Sequence, residues 1–299
     1  MTVLPAQFEA QFEKFPKQII KRQLFGPSGE ETGVFGLFDE KGNFIGRSSV
    51  TDRYIPHQFG EHVRPIIKSV LGLPGFEDAT LRAEWKEGHY IQIKPSDDYR
   101  REIFKGDTVW PQLDLWFGLG GLPARGRLPM NRDACDNLEM PRKSSEINFS
   151  IKHTKSLQAR VSRIQDQFYT IVSNWDSVVE HCREMHAKRI NLKDLLAEMF
   201  PEPNGDSKRA TTNHNDKINA IWARITRESY KLNLETPSLA TNPYTTGWMA
   251  YNAIQGYRQH TASRKGERGM SRERKAFERS VSVLDDSIVQ RAESLILSM

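Results

Sequence analysis

The sequence LQARVSRIQDQFYTIVSNWDSVVEHCREM, from Leu157 to Met185, decides how the second half of the chain folds. Its apolar residues recur at alternating steps of four and three, the spacing of a heptad seam about four heptads long. A seam of this length has to be buried against another long helix, in the same chain or in a second copy of it. The seam consists of Leu157, Val161, Ile164, Phe168, Ile171, Trp175, Val178, Cys182 and Met185.

A second apolar stripe near the C-terminus supplies a partner for this seam. Its spacing is also that of one helix face, so packing within the chain is favoured, and a subunit interface is the alternative. The stripe consists of Phe277, Val281, Leu284, Ile288, Ala292 and Leu295.

The first half of the chain alternates strand-like runs with turn residues. Residues 34–50 and 81–94 each read as a hairpin, because period-two alternation is broken by a short polar, glycine-containing turn. Runs 108–117 and 147–151 are further strand candidates, and the residues after Gly121 read as a basic loop. This order predicts an α+β fold.

We therefore expect a β-hairpin-rich N-terminal half packed on long C-terminal helices. The expected division is a β-rich region over residues 1–150 and a helical region over residues 151–299, with a polar loop at residues 201–213. The alternative is that both regions form one integrated domain.

The composition indicates a soluble protein with an acidic partner. The chain has 299 residues, a formal net charge of +5 and a pI of about 9.1. It has no apolar run of the roughly 18 residues that a membrane span needs, and we expect it in the cytoplasm, without a membrane partner. Two cysteines, Cys135 and Cys182, cannot build a disulfide framework.

Motifs typical of catalysis are missing from the sequence. It contains neither a GxxxxGK[ST] phosphate loop, nor GxSxG, nor HExxH. His181, Cys182 and His186 have metal-like spacing, but Cys182 belongs to the apolar seam, so no metal site is predicted. We predict no catalytic residue and no cofactor. A nuclease whose carboxylates converge only in the fold remains the enzymatic alternative.

An aromatic segment followed by a basic one, Tyr244 to Arg279, suggests nucleic-acid binding. Eight bases and three acids follow the aromatic residues there. Lysine and arginine hold phosphates while rings stack on bases, although aromatics at helical spacing are also typical of a core. The base-stacking candidates are Trp248, Tyr251 and Tyr257.

Basic residues at two other places extend this prediction. The first group precedes the long seam, and no acid lies among its residues. It is at the start of the long helix, and a helix N-terminus favours a phosphate. The second group lies in the basic loop. The group before the seam has the alternative role of neutralising nearby acids such as Glu146 and Asp166. The predicted nucleic-acid-binding residues are Lys152, His153, Lys155, Arg160, Arg163, Arg258, Arg264, Lys265, Arg268, Arg125, Arg127 and Arg132.

The order of several short motifs resembles a known family. An R-x-x-C-x-N turn at Arg132, a K-H-T segment at Lys152 and a W-x-x-x-N-A helix from Trp248 to His260 follow one another as in phage/plasmid-like proteins grouped as a domain family of unknown function. The resemblance covers roughly Ser48 to His260. This sequence departs from the family pattern at Leu138, where a glycine often follows the asparagine that corresponds to Asn137. The resemblance implies a mobile-element protein of a prokaryotic cytoplasm and brings no established activity.

Together these features favour a phage- or plasmid-encoded DNA-binding protein. The expected activity is binding or annealing of single-stranded DNA in recombination or replication, by analogy with phage single-strand annealing proteins, in a homo-oligomer. The alternatives are a metal-dependent nuclease and a counter-defence factor that binds a host protein.

Overall fold

The structure is a computed structural model. It describes residues 4–46, 49–85, 87–120, 122, 124–127, 129–133, 135–139, 148–151, 173–205, 207–238, 240–262, 267, 270, 272, 275, 278–279 and 286–299, with backbone alone at 127, 135–139 and 148–151. Of the predicted long seam, residues 157–171 lie outside this set, as do Phe277, Val281 and Leu284 of the C-terminal stripe.

The predicted α+β class is confirmed. The strands are β1 Ile20–Phe25, β2 Glu31–Phe38, β3 Thr80–Trp85, β4 Gly88–Lys94, β5 Arg101–Phe104, β6 Asp107–Pro111, β7 Leu113–Gly118, β8 Ala124–Arg127, β9 Pro129–Arg132, β10 Cys135–Glu139, β11 Asn148–Ile151, β12 Arg189–Asn191 and β13 Tyr244–Thr246. The α-helices are α1 Ala6–Phe12, α2 Arg64–Leu71, α3 Trp175–Ala187, α4 Leu192–Met199, α5 Lys208–Lys231, α6 Gly247–Gly256 and α7 Ser287–Ser298.

The chain divides into two compact units whose segments interleave along the sequence. The N-terminal unit contains residues 1–99, 111–128 and 146–173, and the C-terminal unit contains residues 100–110, 129–145 and 174–299. This division differs from a single boundary near residue 150, because strands β5, β6, β9 and β10 join the C-terminal helices.

The N-terminal unit is built on a five-stranded antiparallel sheet in the order β11-β8-β7-β4-β3. The predicted hairpin at 81–94 is confirmed, with Leu81 opposite Ile93 and Trp85 opposite His89. The central strand β7 is buried on both faces, as expected for a strand covered on each side. Beside this sheet, β2 pairs with β1, a pairing that the sequence did not predict. Across the predicted hairpin at residues 34–50, Phe35 pairs with Val50 and Phe38 with Phe44 as isolated bridges.

Gly88 gives a direct test of the β3–β4 turn. Its φ is +140°, and a Cβ there would lie 2.0 Å from the Phe117 carbonyl oxygen. We expect Gly88→Ala to lower the free energy of unfolding by about 3 kcal/mol or more, since backbone strain and a backbone clash add. The control is Gly29→Ala, where φ is +85° and nothing lies within 4 Å. Urea denaturation compares the two, and equal losses would refute the role of the clash.

The C-terminal unit combines a four-stranded sheet with helices. The sheet order is β10-β9-β6-β5, so the predicted basic loop after Gly121 is wrong: it contributes strands β8, β9 and β10. The predicted single strand 108–117 is likewise two strands, β6 and β7, in different sheets. Helix α3 packs on β5 and α6, and α6 also contacts α5 and α7.

Helix α6 is the centre of this unit. All ten of its residues are buried, from Gly247 to Gly256. The four seam residues of α3 that the structure describes, Trp175, Val178, Cys182 and Met185, are buried as predicted. On α7 the buried apolar residues are Val289, Ala292 and Ile296. Ala292 belongs to the predicted stripe, but Val289 and Ile296 are buried where the sequence predicted their neighbours Ile288 and Leu295.

Candidate nucleic-acid interface

Arg132 lies inside the protein, which corrects its prediction as a phosphate ligand. Its side chain is fully buried and pairs with two carboxylates: Nε with Asp107 Oδ1, and a guanidinium nitrogen with Glu228 Oε2 at 2.7 Å. A third contact joins the guanidinium to the sulfur of Met249 at 3.4 Å. Burial disfavours the charged guanidinium, but Asp107 and Glu228 together outweigh it and raise the pKa of Arg132. Arg132 is therefore part of the buried core of the C-terminal unit.

Two predicted base-stacking residues belong to the same core. Trp248 is 0% and Tyr251 1% exposed, and the Trp248 Nε1–H donates to Asp107 Oδ2 at 2.9 Å. The Arg132 guanidinium lies 5.5 Å from the centre of the Trp248 ring. The stacking prediction for Trp248 and Tyr251 is therefore wrong for this structure, because no ring face reaches the surface. Tyr257, the third candidate, is half-buried, and burial raises the pKa of its hydroxyl.

The remaining predicted phosphate ligands have different placements. Arg258 pairs with Asp286, the closest N–O distance being 2.6 Å, so its charge is compensated within the protein. Arg125 is half-buried in β8, and Arg127 is placed in β8 by its backbone. Lys152, His153, Lys155, Arg160, Arg163, Arg264, Lys265 and Arg268 lie outside the described residues.

The three residues with metal-like spacing, His181, Cys182 and His186, make separate contacts in the structure. His181 Nε2 is 2.8 Å from Glu293 Oε1, and the His186 ring stacks on Phe104 at 4.1 Å. Cys182, which lies between these two histidines in the sequence, is buried, and burial raises the pKa of its thiol. Within the described ranges, no group of three His, Cys, Asp or Glu side chains lies close enough together to share a metal ion.

A strongly basic element in the described part of the chain is helix α5, which begins at Lys208, inside the predicted polar loop of residues 201–213. Its 24 residues hold six bases and two acids, a net charge of +4 in a chain of net charge +5. One of the two acids, Glu228, is buried against Arg132, so its charge does not reach the solvent face. The bases are Lys208, Arg209, Lys217, Arg224, Arg227 and Lys231.

Helix α5 has one buried face and one exposed face. The helix begins at a capped end, where the Ser207 hydroxyl accepts from the Ala210 amide at 3.4 Å. Ile221, Ile225, Glu228 and Ser229 point inward. Outward lie four exposed cations, Lys208, Arg209, Arg227 and Lys231, and beside the last two stands Tyr230, whose surface is 82% exposed.

In the C-terminal unit, a second exposed aromatic residue is Tyr244 in β13. Its ring is 43% exposed, and the guanidinium of Arg189 in β12 lies 4.3 Å from the ring centre. Cations and open aromatic rings are the two components that single-strand binding proteins combine. The sequence analysis included Tyr244 in the aromatic segment but not among the base-stacking candidates, because spacing alone could not separate this exposed ring from the buried Trp248 and Tyr251.

Comparison with known proteins matches much of the C-terminal unit to one family. The family described as Domain of unknown function (DUF932) matches residues 127–290, more than half of the chain. The match includes Arg132, Arg189, helix α5, Tyr244 and helix α6. No curated protein and no solved structure matches the chain. Among the described helices, none has the length and apolar character needed to cross a bilayer.

Proposed function

We propose that this chain, which belongs to the DUF932 family of domains of unknown function, is a DNA-binding protein that prefers single strands. The observation that carries the proposal is the solvent face of α5, where four exposed cations accompany an almost uncovered tyrosine. Of the two acids of α5, Glu228 is turned inward to Arg132, and Asp216 is exposed among the four cations. A polyanion would meet a face on which positive charge dominates.

Phosphate binding is the role that this face fits best. Lysine and arginine side chains at the surface neutralise phosphates and release condensed counterions, so the affinity for DNA depends steeply on salt. Lys208 and Arg209 lie at one end of the helix, and Arg227 and Lys231 lie at the other. A helix of 24 residues is about 36 Å long, enough to follow several nucleotides of an extended strand.

The exposed rings favour a single strand over a duplex. Tyr230 and Tyr244 offer surface on which an unpaired base can stack, whereas the bases of a duplex are already stacked on each other. Binding of this kind needs neither metal nor nucleotide. It fits the expectation of a mobile-element protein that holds or anneals single strands in recombination or replication, and a homo-oligomer would lengthen the bound track.

Charge reversal on α5 tests the proposal. We expect the variant Lys208→Glu, Arg209→Glu, Arg227→Glu to bind a labelled single-stranded oligonucleotide roughly tenfold more weakly or worse, because three phosphate contacts become repulsive. The slope of log affinity against log salt should shrink by about 2, since each single-strand phosphate contact contributes about 0.7. Fluorescence anisotropy over a salt series measures both quantities.

A matched control separates this effect from net charge. Lys14, Lys17 and Arg53 are exposed cations of the N-terminal unit, and reversing all three changes the net charge by the same amount. The control should retain the affinity and salt slope of the unmodified protein. Equal losses in both variants would show that α5 makes no specific contribution, and no loss in either would remove α5 from the binding surface.

A further inference from the structure

Arg189 and Tyr244 form an exposed pair of side chains on the two-stranded sheet β12–β13. The guanidinium carbon of Arg189 lies 4.3 Å from the centre of the Tyr244 ring. Arg189 is exposed, and 43% of Tyr244 remains accessible with the arginine in place. The pair thus presents an aromatic ring and a cation to solvent at the same point.

The backbone under this pair is held on both sides. Asn191 is the β partner of Tyr244, and Arg189 is the β partner of Thr246. Beyond the strands, the Leu192 amide donates to the Pro243 carbonyl at 2.9 Å, and the Gly247 amide donates to the Lys188 carbonyl at 2.8 Å. A ligand that stacks on a ring in this setting loses little affinity to ordering of the protein.

The support continues into the core of the unit. β13 leads directly into α6, all of whose residues are buried. At the junction, a Cβ on Gly247 would lie 2.4 Å from the Ile296 side chain and 2.6 Å from the Met185 carbonyl oxygen. The chain therefore passes against α3 and α7 where Tyr244 is presented, and the ring stands three residues from a closely packed contact.

We propose that Arg189 and Tyr244 are a nucleobase-stacking site: Tyr244 stacks an unpaired base, and Arg189 adds a cation beside that base and its phosphate. The inference rests on the proposed DNA binding and deepens it by naming the residues that distinguish unpaired from paired bases. Stacking on tyrosine tolerates every base because each has a π-face, so the site reads strandedness rather than sequence. A guanidinium beside the ring contributes a cation–π contact to a base as well as charge to a phosphate.

The test compares Tyr244→Ala with Tyr244→Phe on the full chain. The probes are a labelled 20-nucleotide oligothymidine, the same strand with abasic sites, and a duplex of equal length. We expect Tyr244→Ala to bind oligothymidine about tenfold more weakly, while Tyr244→Phe keeps the unmodified affinity because the ring is retained. The abasic strand and the duplex should bind the three proteins equally.

A spectroscopic readout reports stacking itself. An oligonucleotide containing 2-aminopurine should lose fluorescence on binding to the unmodified protein and to Tyr244→Phe, and lose less of it on binding to Tyr244→Ala. The unmodified protein alone gives a measurement that needs no variant to fold: it should bind oligothymidine more tightly than the abasic strand.

The outcomes distinguish the two proposals. Salt-dependent binding of oligothymidine with equal affinity for the unmodified protein and Tyr244→Ala would overturn the stacking site and leave DNA binding standing. Equal affinity of the unmodified protein for the abasic and thymine strands would do the same. Failure of the unmodified protein to bind any of the three probes at low salt would overturn both.

Discussion

Replacing Arg132 with methionine is expected to lower the free energy of unfolding of the C-terminal unit by about 3–5 kcal/mol. The substitution keeps much of the side-chain volume but leaves Asp107 and Glu228 buried without their cation. Asp107 would retain only the Trp248 N–H among the contacts described above. An uncompensated buried carboxylate costs far more than an ion pair contributes, so this single change should raise the population of molecules in which α6 is exposed to solvent by about two to three orders of magnitude.

Urea denaturation and hydrogen exchange at residues 247–256 measure this loss. Arg101→Met is the matched control in the same unit: Arg101 pairs with Asp176 at 2.8 Å, but 77% of the Asp176 side chain is exposed. That change should cost about 1 kcal/mol or less. The double variant Arg132→Met, Glu228→Met should recover part of the loss, because one of the two stranded carboxylates is gone. If Arg132→Met and Arg101→Met unfold at the same urea concentration, the buried network is not a source of stability.

Acid is expected to destabilise the N-terminal unit through its buried histidine pair. His57 Nε2 lies 2.8 Å from His89 Nδ1, and both residues are 0% exposed among Phe15, Phe59 and Phe117. Burial lowers the pKa of His89 from 6.5 to about 3. In the neutral state one ring donates this hydrogen bond and the other accepts it, and burial keeps an added charge away from the solvent.

The sign follows from comparing the folded and unfolded chains. Between pH 6.5 and about 3 the unfolded chain takes up a proton at His89 and the folded chain does not, so protonation favours unfolding. This contribution to stability is complete above pH 6.5 and is lost as the pH falls toward 3, at about 1.4 kcal/mol per pH unit and roughly 4–5 kcal/mol in all.

Hydrogen exchange within β4, which contains His89, measures this loss without relying on the C-terminal unit. His89→Gln keeps a hydrogen-bonding group opposite His57 but takes up no proton. Between pH 6.5 and 4, the opening free energy of this variant should therefore depend less steeply on pH than that of the unmodified protein. The difference in slope should be close to one proton, about 1.4 kcal/mol per pH unit. Identical pH slopes for His89→Gln and the unmodified protein would show that this histidine is not the acid-sensitive group.

Local patterns predicted some elements well. The β3–β4 hairpin was recognisable because alternation places Leu81, Ala83, Ile91 and Ile93 on one face, and all four are buried. The helix nature of residues 247–256 was also predicted. These elements depend on contacts between near neighbours in sequence, which residue spacing reports directly.

Elements and sites that depend on distant contacts were not predictable in this way. Arg132 stood in a stretch that read as a basic loop, yet its partners are 25 and 96 residues away, and only their convergence makes a buried cation stable. Trp248 and Tyr251 have spacing that suits a solvent-facing stripe as well as a core. Their burial follows from α6 being surrounded by α3, α5 and α7, which no single segment reveals.

The sequence also misjudged the accessibility of some cations among the described residues. Arg258 belonged to the most basic segment, but Asp286, 28 residues later, neutralises it. Helix α5 is less evident as a basic surface in the sequence because two acids lie among its six bases, and the sequence does not show that Glu228 faces inward. Exposed charge depends on which face of a helix is buried, and that is decided by the tertiary packing.

The most direct test of the central claim is the binding of the unmodified protein to labelled single-stranded and double-stranded DNA across a salt series, in EDTA and in magnesium. We predict tight binding to single strands that weakens steeply with salt, weaker binding to the duplex, and the same result in both buffers without cleavage. Cleavage in magnesium would instead identify a nuclease. Absence of binding even at low salt would contradict the DNA-binding account and direct attention to a protein partner.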